Sequence, residues 1–256
     1  MVKPKKYLGQ HFLKDKNIAE KIAKSLKNLN NLPVMEIGPG TGVLTKFLVG
    51  KSYPLILIEI DEESVDFLKT SFPDGSFELY NADFLKLDII RVVNNNKFCV
   101  IGNFPYNISS QIFFKILENR TLIEETVCML QKEVAERICS IEGSKEYGIL
   151  SVLIQLYYKT EFLFSVSEKV FFPPPKVKSA VIRLTKYRDE IEEVKFENLL
   201  LIVKTAFNQR RKTLRNALKL LLCEKKHIDD NHHFFDKRAE QLSPEEFILL
   251  TKMIFN

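Results

Sequence analysis

"PVMEIGPGTGVLTKFLV", residues 33–49, decides the fold. Val34 to Ile37 is a short apolar run, and Gly38, Gly40 and Gly42 follow it at alternate positions. The pattern predicts a buried strand, a glycine turn and a helix over 41–49. Glycines at a strand's carboxyl end let the backbone turn tightly and let a ligand lie against it. Such turns are common, so the weight comes from what surrounds this one.

The unit repeats downstream. "PLILIEID" (54–61) is too continuous for a half-exposed strand and predicts a central parallel one. A helix over 62–72 follows, with Val65 and Leu68 on one side, then a strand ending at Asp83. "FCVIGN" (98–103), a helix over 108–119 and "TVCMLQ" (126–131) continue the alternation. This predicts a doubly wound, Rossmann-like α/β sheet. The strand-end polar residues Glu36, Glu59, Asp83 and Asn103 recur at steps of 23, 24 and 20 residues. All four then lie on the carboxyl edge of the sheet, where such folds bind ligands.

Residues 147–166 read as a helix and a strand, and "SAVIRLTK" (179–186) as a last strand after the stiff "FFPPPKVK". Acidic "YRDEIEEVKFEN" (187–198) breaks the pattern. The expected boundary lies there, giving a catalytic domain over 1–187 and a small all-α domain over 188–256. In the latter, Leu214, Ala217, Leu218, Leu221 and Leu222 have the spacing of one buried helix face. Ser243-Pro244-Glu245-Glu246 reads as a capped helix start.

Of 256 residues, 45% are hydrophobic and 28% charged, as in soluble globular proteins. No apolar run approaches the roughly 18 residues that span a bilayer. The lysine-rich N-terminus lacks a signal peptide's apolar core. Four scattered cysteines without a C-x-x-C predict reduced thiols in a cytoplasmic protein. The histidines His11, His227, His232 and His233 suggest no metal site. The net charge of +5 is uneven: residues 1–27 carry +6 and 198–223 another +6, leaving −7 elsewhere. Two basic surfaces on an acidic body suggest a polyanionic partner.

Glu59, about 20 residues past the glycine turn, is placed to take the two hydroxyls of a ribose. The dinucleotide fingerprint G-x-G-x-x-G is absent, because position 43 is Val. That argues against an NAD-dependent dehydrogenase and for a nucleoside ligand without pyrophosphate. S-adenosylmethionine fits, with ribose on Glu59 and adenine near Asp83. Glu36 either belongs to the site or only caps the glycine loop.

"NFPYNISS" (103–110) supplies the other half of a reaction. An adenine amine is a poor nucleophile, since its lone pair is delocalised into the ring. Alkylating it requires acceptors that hold its two N–H bonds while the nitrogen becomes tetrahedral. The Asn103 side chain supplies one, a carbonyl in the Pro105 region the other, and a stacked aromatic fixes the base plane.

With these motifs in order, the chain resembles the ribosomal-RNA adenine dimethyltransferases. The likeness covers roughly residues 5–222: "LGQHFLKD", "EIGPGTGVLT", "IEID", "NAD", "NFPYNISS", "MLQKEVAERI", "SKEYGILSV", "FFPPPKVKSAVIRL" and "AFNQRRKTLRNAL". The resemblance implies a class I methyltransferase that dimethylates two adjacent adenosines near the 3′ end of small-subunit rRNA. It implies cofactor contacts at His11, Leu13, Gly38, Gly40, Glu59, Ile60, Asp83, Phe84 and Asn103. Asn is usual in the family at His11, and Leu or Ile at Phe104. Asn103, Pro105 and Tyr106 would carry catalysis, with Tyr106 stacking on the target adenine. Phe171 either covers the adenine's other face or is a core aromatic. Arg210, Arg211, Lys212 and Arg215 would bind rRNA phosphates, with Arg211 and Arg215 on one helix face. The expected partner is the immature small subunit and the expected state a monomer. The alternatives are a large-subunit methyltransferase of the macrolide-resistance type and an assembly factor for which methylation is secondary.

Overall fold

The apolar runs form one seven-stranded sheet in the computed structural model, which describes residues 2–27, 31–224 and 232–255. Its strands are β1 (Val34–Ile37), β2 (Leu55–Glu59), β3 (Glu78–Asn81), β4 (Phe98–Asn103), β5 (Ile123–Gln131), β6 (Tyr158–Val166) and β7 (Ser179–Lys186). The order across the sheet is β3-β2-β1-β4-β5-β7-β6. Pairing is parallel from β3 to β5, and β7 runs antiparallel to β5. Every residue of β1 and β2 is buried, as expected of central strands covered on both faces. The edge strand β3 is not.

Strand order reverses between β1 and β4, which are direct neighbours although two strands separate them in sequence. Ligands bind at such a switch point in doubly wound folds. The register pairs Glu36 with Ile101 and Ile37 with Gly102, so the glycine turn and Asn103 leave the sheet side by side.

Among the helices, α1 (Lys16–Ala23) starts at Asp15, whose carboxylate accepts from the amides of Asn17 and Ile18. Next come α2 (Glu62–Ser71), burying Val65 and Leu68, and α3 (Ser109–Glu118). The helix expected over 41–49 is reduced to a 3-10 turn at Thr45–Phe47. Gly42 has φ of +70°, Thr41, Val43 and Thr45 are β-branched, and the Thr45 hydroxyl donates to Glu36 instead.

The chain divides into two units: Met1–Ala135 with Lys159–Lys186, and Glu136–Tyr158 with Tyr187–Asn256. This differs from a single boundary at 187/188. Helix α4 (Lys132–Ile138) leaves the first unit, and α5 (Ile149–Gln155) lies in the second, packed on α6 (Phe196–Asn208) and α9 (Pro244–Phe255). Sequence continuity with β6 hides that grouping. In the second unit Leu199, Ile202, Val203, Ala206 and Phe207 form the buried face of α6, and Phe207 stacks on Phe247. Ser243 and Glu246 make the reciprocal cap ahead of α9. The leucine stripe of 214–222 is split between α7 (Leu214–Ala217) and α8 (Lys219–Glu224), with Leu214, Ala217 and Leu218 buried and Leu221 and Leu222 only partly so. His227 lies outside the described residues.

Candidate active site

A cavity of about 220 Å³ opens at the carboxyl ends of β1, β2 and β4 in the first unit. Gly38 and Gly40 line it from the turn after β1, and Glu59 and Ile60 from the end of β2. Asp83 and Phe84 enter after β3, and Asn103, Pro105 and Tyr106 after β4. His11 reaches it from the N-terminal segment. Nothing stands within 4 Å of the place a Gly38 side chain would take, so the loop's open side is free for a ligand. Gly40 is obligatory for another reason: its φ is +55°, and a Cβ would lie 2.8 Å from the Phe12 ring.

Glu59 is 4% exposed, and its carboxylate accepts from the amides of Gly40, Ile60 and Asp61, each at 2.9 Å. Burial pushes its pKa above the usual carboxylate range, against the pull of those three N–H groups. Asp83 is anchored similarly, with Oδ1 accepting from the Leu85 amide at 2.9 Å. Asn103 donates through Nδ2 to the carbonyl of His11 at 3.0 Å. A carbonyl takes only a donor, so this bond fixes the amide's orientation and leaves Oδ1 as an acceptor. His11 in turn bonds through Nδ1 to the Pro173 carbonyl at 2.7 Å and stacks on Tyr106, centroids 5.4 Å apart. The Tyr106 hydroxyl bonds Ser179 at the start of β7, and burial raises its pKa.

Two residues do not line this cavity. Leu13 and Phe171 pair with each other across a two-residue antiparallel contact and sit in the hydrophobic core, 6% and 1% exposed. Leu13 instead borders a second cavity of about 30 Å³ beside Glu36, Gly38 and Asn103. Phe104 does border the first cavity, though its ring is buried and edge-on to Phe113. Glu36 is 1% exposed and accepts from the Thr45 hydroxyl at 2.8 Å. Burial is the main cause that lifts its pKa to about 8, the Glu59 charge adds to this, and the Thr45 bond opposes it. No bond from Glu36 to the glycine loop is present among the described residues, so it holds the turn after that loop.

The N-terminal segment contributes more than the sequence suggested. Asp61 is 2% exposed, pairs with Lys5 and accepts from Gln10 and Ser64. Burial alone would raise its pKa, but these bonds outweigh it and leave the pKa low. Tyr7, Gln10 and Phe12 therefore also border the cavity. Asp61 stands in the quoted "IEID", but nothing local names Lys5 as its partner.

In the second unit, α6 ends at Asn208, and the isolated bridge of Thr213 with Arg238 draws the chain out of helix before α7. Arg211 and Arg215 therefore do not share a helix face. Arg210 is held by Glu240 at 2.5 Å and the Ser144 carbonyl, and Arg215 by Asp236 at 3.2 Å. Arg211 and Lys212 are exposed in the turn.

The strand order with this cavity at its switch point is that of a doubly wound nucleotide-binding fold, and the relatives that follow make it a class I S-adenosylmethionine-dependent methyltransferase. The family described as "Ribosomal RNA adenine dimethylase" matches residues 1–255. The "Ribosomal RNA small subunit methyltransferase A" of Parabacteroides distasonis is 56% identical, over 98% of this chain and 94% of its own. A dimethyladenosine transferase from Plasmodium falciparum superposes with a TM-score of 0.78 at 28% identity, covering 94% of this chain and 96% of that one. The 23S rRNA methyltransferase ErmE gives 0.67 at 25% identity, over 96% and 100%. The chain belongs to the ribosomal RNA adenine dimethylase family.

Proposed function

We propose that the protein transfers methyl groups from S-adenosylmethionine to the N6 amines of two adjacent adenosines near the 3′ end of small-subunit rRNA. The observation that carries this is the fixed Asn103 amide, whose Oδ1 is left as an acceptor on the cavity. Small-subunit RNA is preferred over large because the 56% identical relative bears that name, whereas ErmE is only 25% identical. The immature small subunit as partner, a monomeric state and a cytoplasmic location belong to the same reading. No helix among the described residues is long and apolar enough to cross a membrane.

S-adenosylmethionine, when bound, supplies an electrophilic methyl on its sulfonium. Glu59 is held by three amides, two on Oε1 and one on Oε2, which leaves a lone pair of Oε2 for a ribose hydroxyl. Asp83 Oδ2 faces only the exposed Lys86 ammonium at 3.9 Å, beyond hydrogen-bond distance, and accepts from the cofactor's adenine amine. Asn103 Oδ1 accepts one N–H of the target amine. The Pro105 carbonyl is taken by the Ile108 amide, so the Phe104 carbonyl, held by the proline ring that follows it, accepts the other. Tyr106, pinned by Ser179 and backed by His11, offers its remaining face to the target base. The nitrogen becomes acidic as it is alkylated, so no strong base is needed. Orientation and fixed dipoles supply the rate.

The test is transfer of labelled methyl groups to separated, undermethylated ribosomal subunits. Label in small-subunit RNA is expected; label confined to large-subunit RNA would replace this reading with that of the ErmE type.

A further inference from the structure

Two large aromatic side chains stand in solvent beside the cavity, and nothing in the chemistry above uses them. Tyr7 is 76% exposed and borders the cavity mouth. Phe172 is 56% exposed and pairs across the antiparallel contact with Phe12, which also lines the cavity. Both are held rather than loose. The turn carrying Tyr7 is tied down through Lys5 to Asp61 and by the Lys5 amide to Gln10. Gly9, at φ +65°, lets that turn close on the substrate loop, since a Cβ there would lie 2.3 Å from Asn107 Oδ1. Phe172 is fixed between Phe171, which anchors in the core, and Pro173, whose carbonyl holds His11.

Each aromatic also sits among exposed cations. Lys3 and Lys6 precede Tyr7, and Lys176 and Lys178 follow Phe172 in a stretch over 171–178 that holds no acid. Exposed aromatics interleaved with lysines are the usual means of gripping a single strand, because every base has a face to stack and every phosphate a charge. A target adenine drawn into the cavity must leave its two neighbours outside at the mouth.

We propose that Tyr7 and Phe172 stack on the unpaired nucleotides flanking the target adenosine, and so position the RNA strand across the cavity. This rests on the function proposed above. It also assigns a task to the adenosine awaiting its own methylation, which serves as one of the stacked neighbours while its partner is in the cavity.

The experiment is steady-state methyl transfer to undermethylated small subunits by the wild type, Tyr7→Ala and Phe172→Ala, with Tyr7→Phe and Phe172→Tyr as conservative partners. Each alanine is expected to raise KM about tenfold with kcat within about twofold, the size expected for losing one base–aromatic stack. The conservative variants should match the wild type. Affinity for S-adenosylhomocysteine and the melting temperature should not change in any variant. Alanine variants with wild-type KM would overturn the stacking role, and so would a loss traced to weaker cofactor binding. A wild type that labels no small-subunit RNA would overturn the functional reading and this proposal together.

Discussion

The carboxyl edge of the sheet and the basic turn after α6 are both rich in polar side chains, but they are built oppositely. At the edge, Glu59, Asp83 and Asn103 are tied to backbone groups, so their geometry follows from strand register. In the turn, Arg210 and Arg215 are tied to acids more than 20 residues away, while Arg211 and Lys212 project freely. A site made from backbone anchors tolerates little change. A site made from exposed charge degrades gradually.

The largest effect should come from Asn103→Ala. It removes an acceptor that matters only as the amine is alkylated, so kcat is expected to fall at least ~100-fold, as for loss of one preorganised polar group. Small-subunit binding, measured by filter retention, should stay near wild type. Next is Glu59→Gln, which turns an acceptor-only group into one that repels at least one of its three amide donors. Affinity for S-adenosylhomocysteine, measured by calorimetry, should drop about 10- to 100-fold, in line with charge-assisted hydrogen bonds.

In the turn, Arg211→Ala and Lys212→Ala should each weaken RNA binding and lower its salt slope by about one. Arg215→Ala should change the slope less, because its charge is already shared with Asp236. Equal slopes for all three would erase the contrast between free and paired cations.

The last effect is read in stability and not in activity, and it is one of pH. Folded Glu36 keeps its proton up to about 8, whereas the unfolded chain releases it near 4.5. The stability from this group is therefore full below pH 4.5 and lost as pH rises towards 8. Glu36→Gln removes that loss, so its melting-temperature advantage should grow between pH 5 and 8 and then level off. A constant offset across that range would show that Glu36 is ionised in the folded protein.

Much of the edge was legible in the sequence because a parallel βα alternation forces successive strand ends to one side. The regular steps from Glu36 to Asn103 therefore locate a shared edge without any contact being known. What the sequence hid depends on long-range pairing. Phe171 and Phe172 are adjacent and chemically identical, yet pairing with Leu13 and Phe12 sends one into the core and the other into solvent. The clamp of Lys5 on Asp61 joins residues 56 apart. The break between Arg211 and Arg215 comes from a bridge to Arg238 that no helical periodicity encodes.

The Asn103 edge is built to dimethylate two neighbouring adenosines of small-subunit rRNA. Reverse transcription across undermethylated small-subunit RNA, after incubation with S-adenosylmethionine and either wild type or Asn103→Ala, reads this out nucleotide by nucleotide. Two adjacent strong stops near the 3′ end with the wild type, and none with the variant, are the predicted result. Stops of equal strength with both proteins, or none with the wild type, would contradict it.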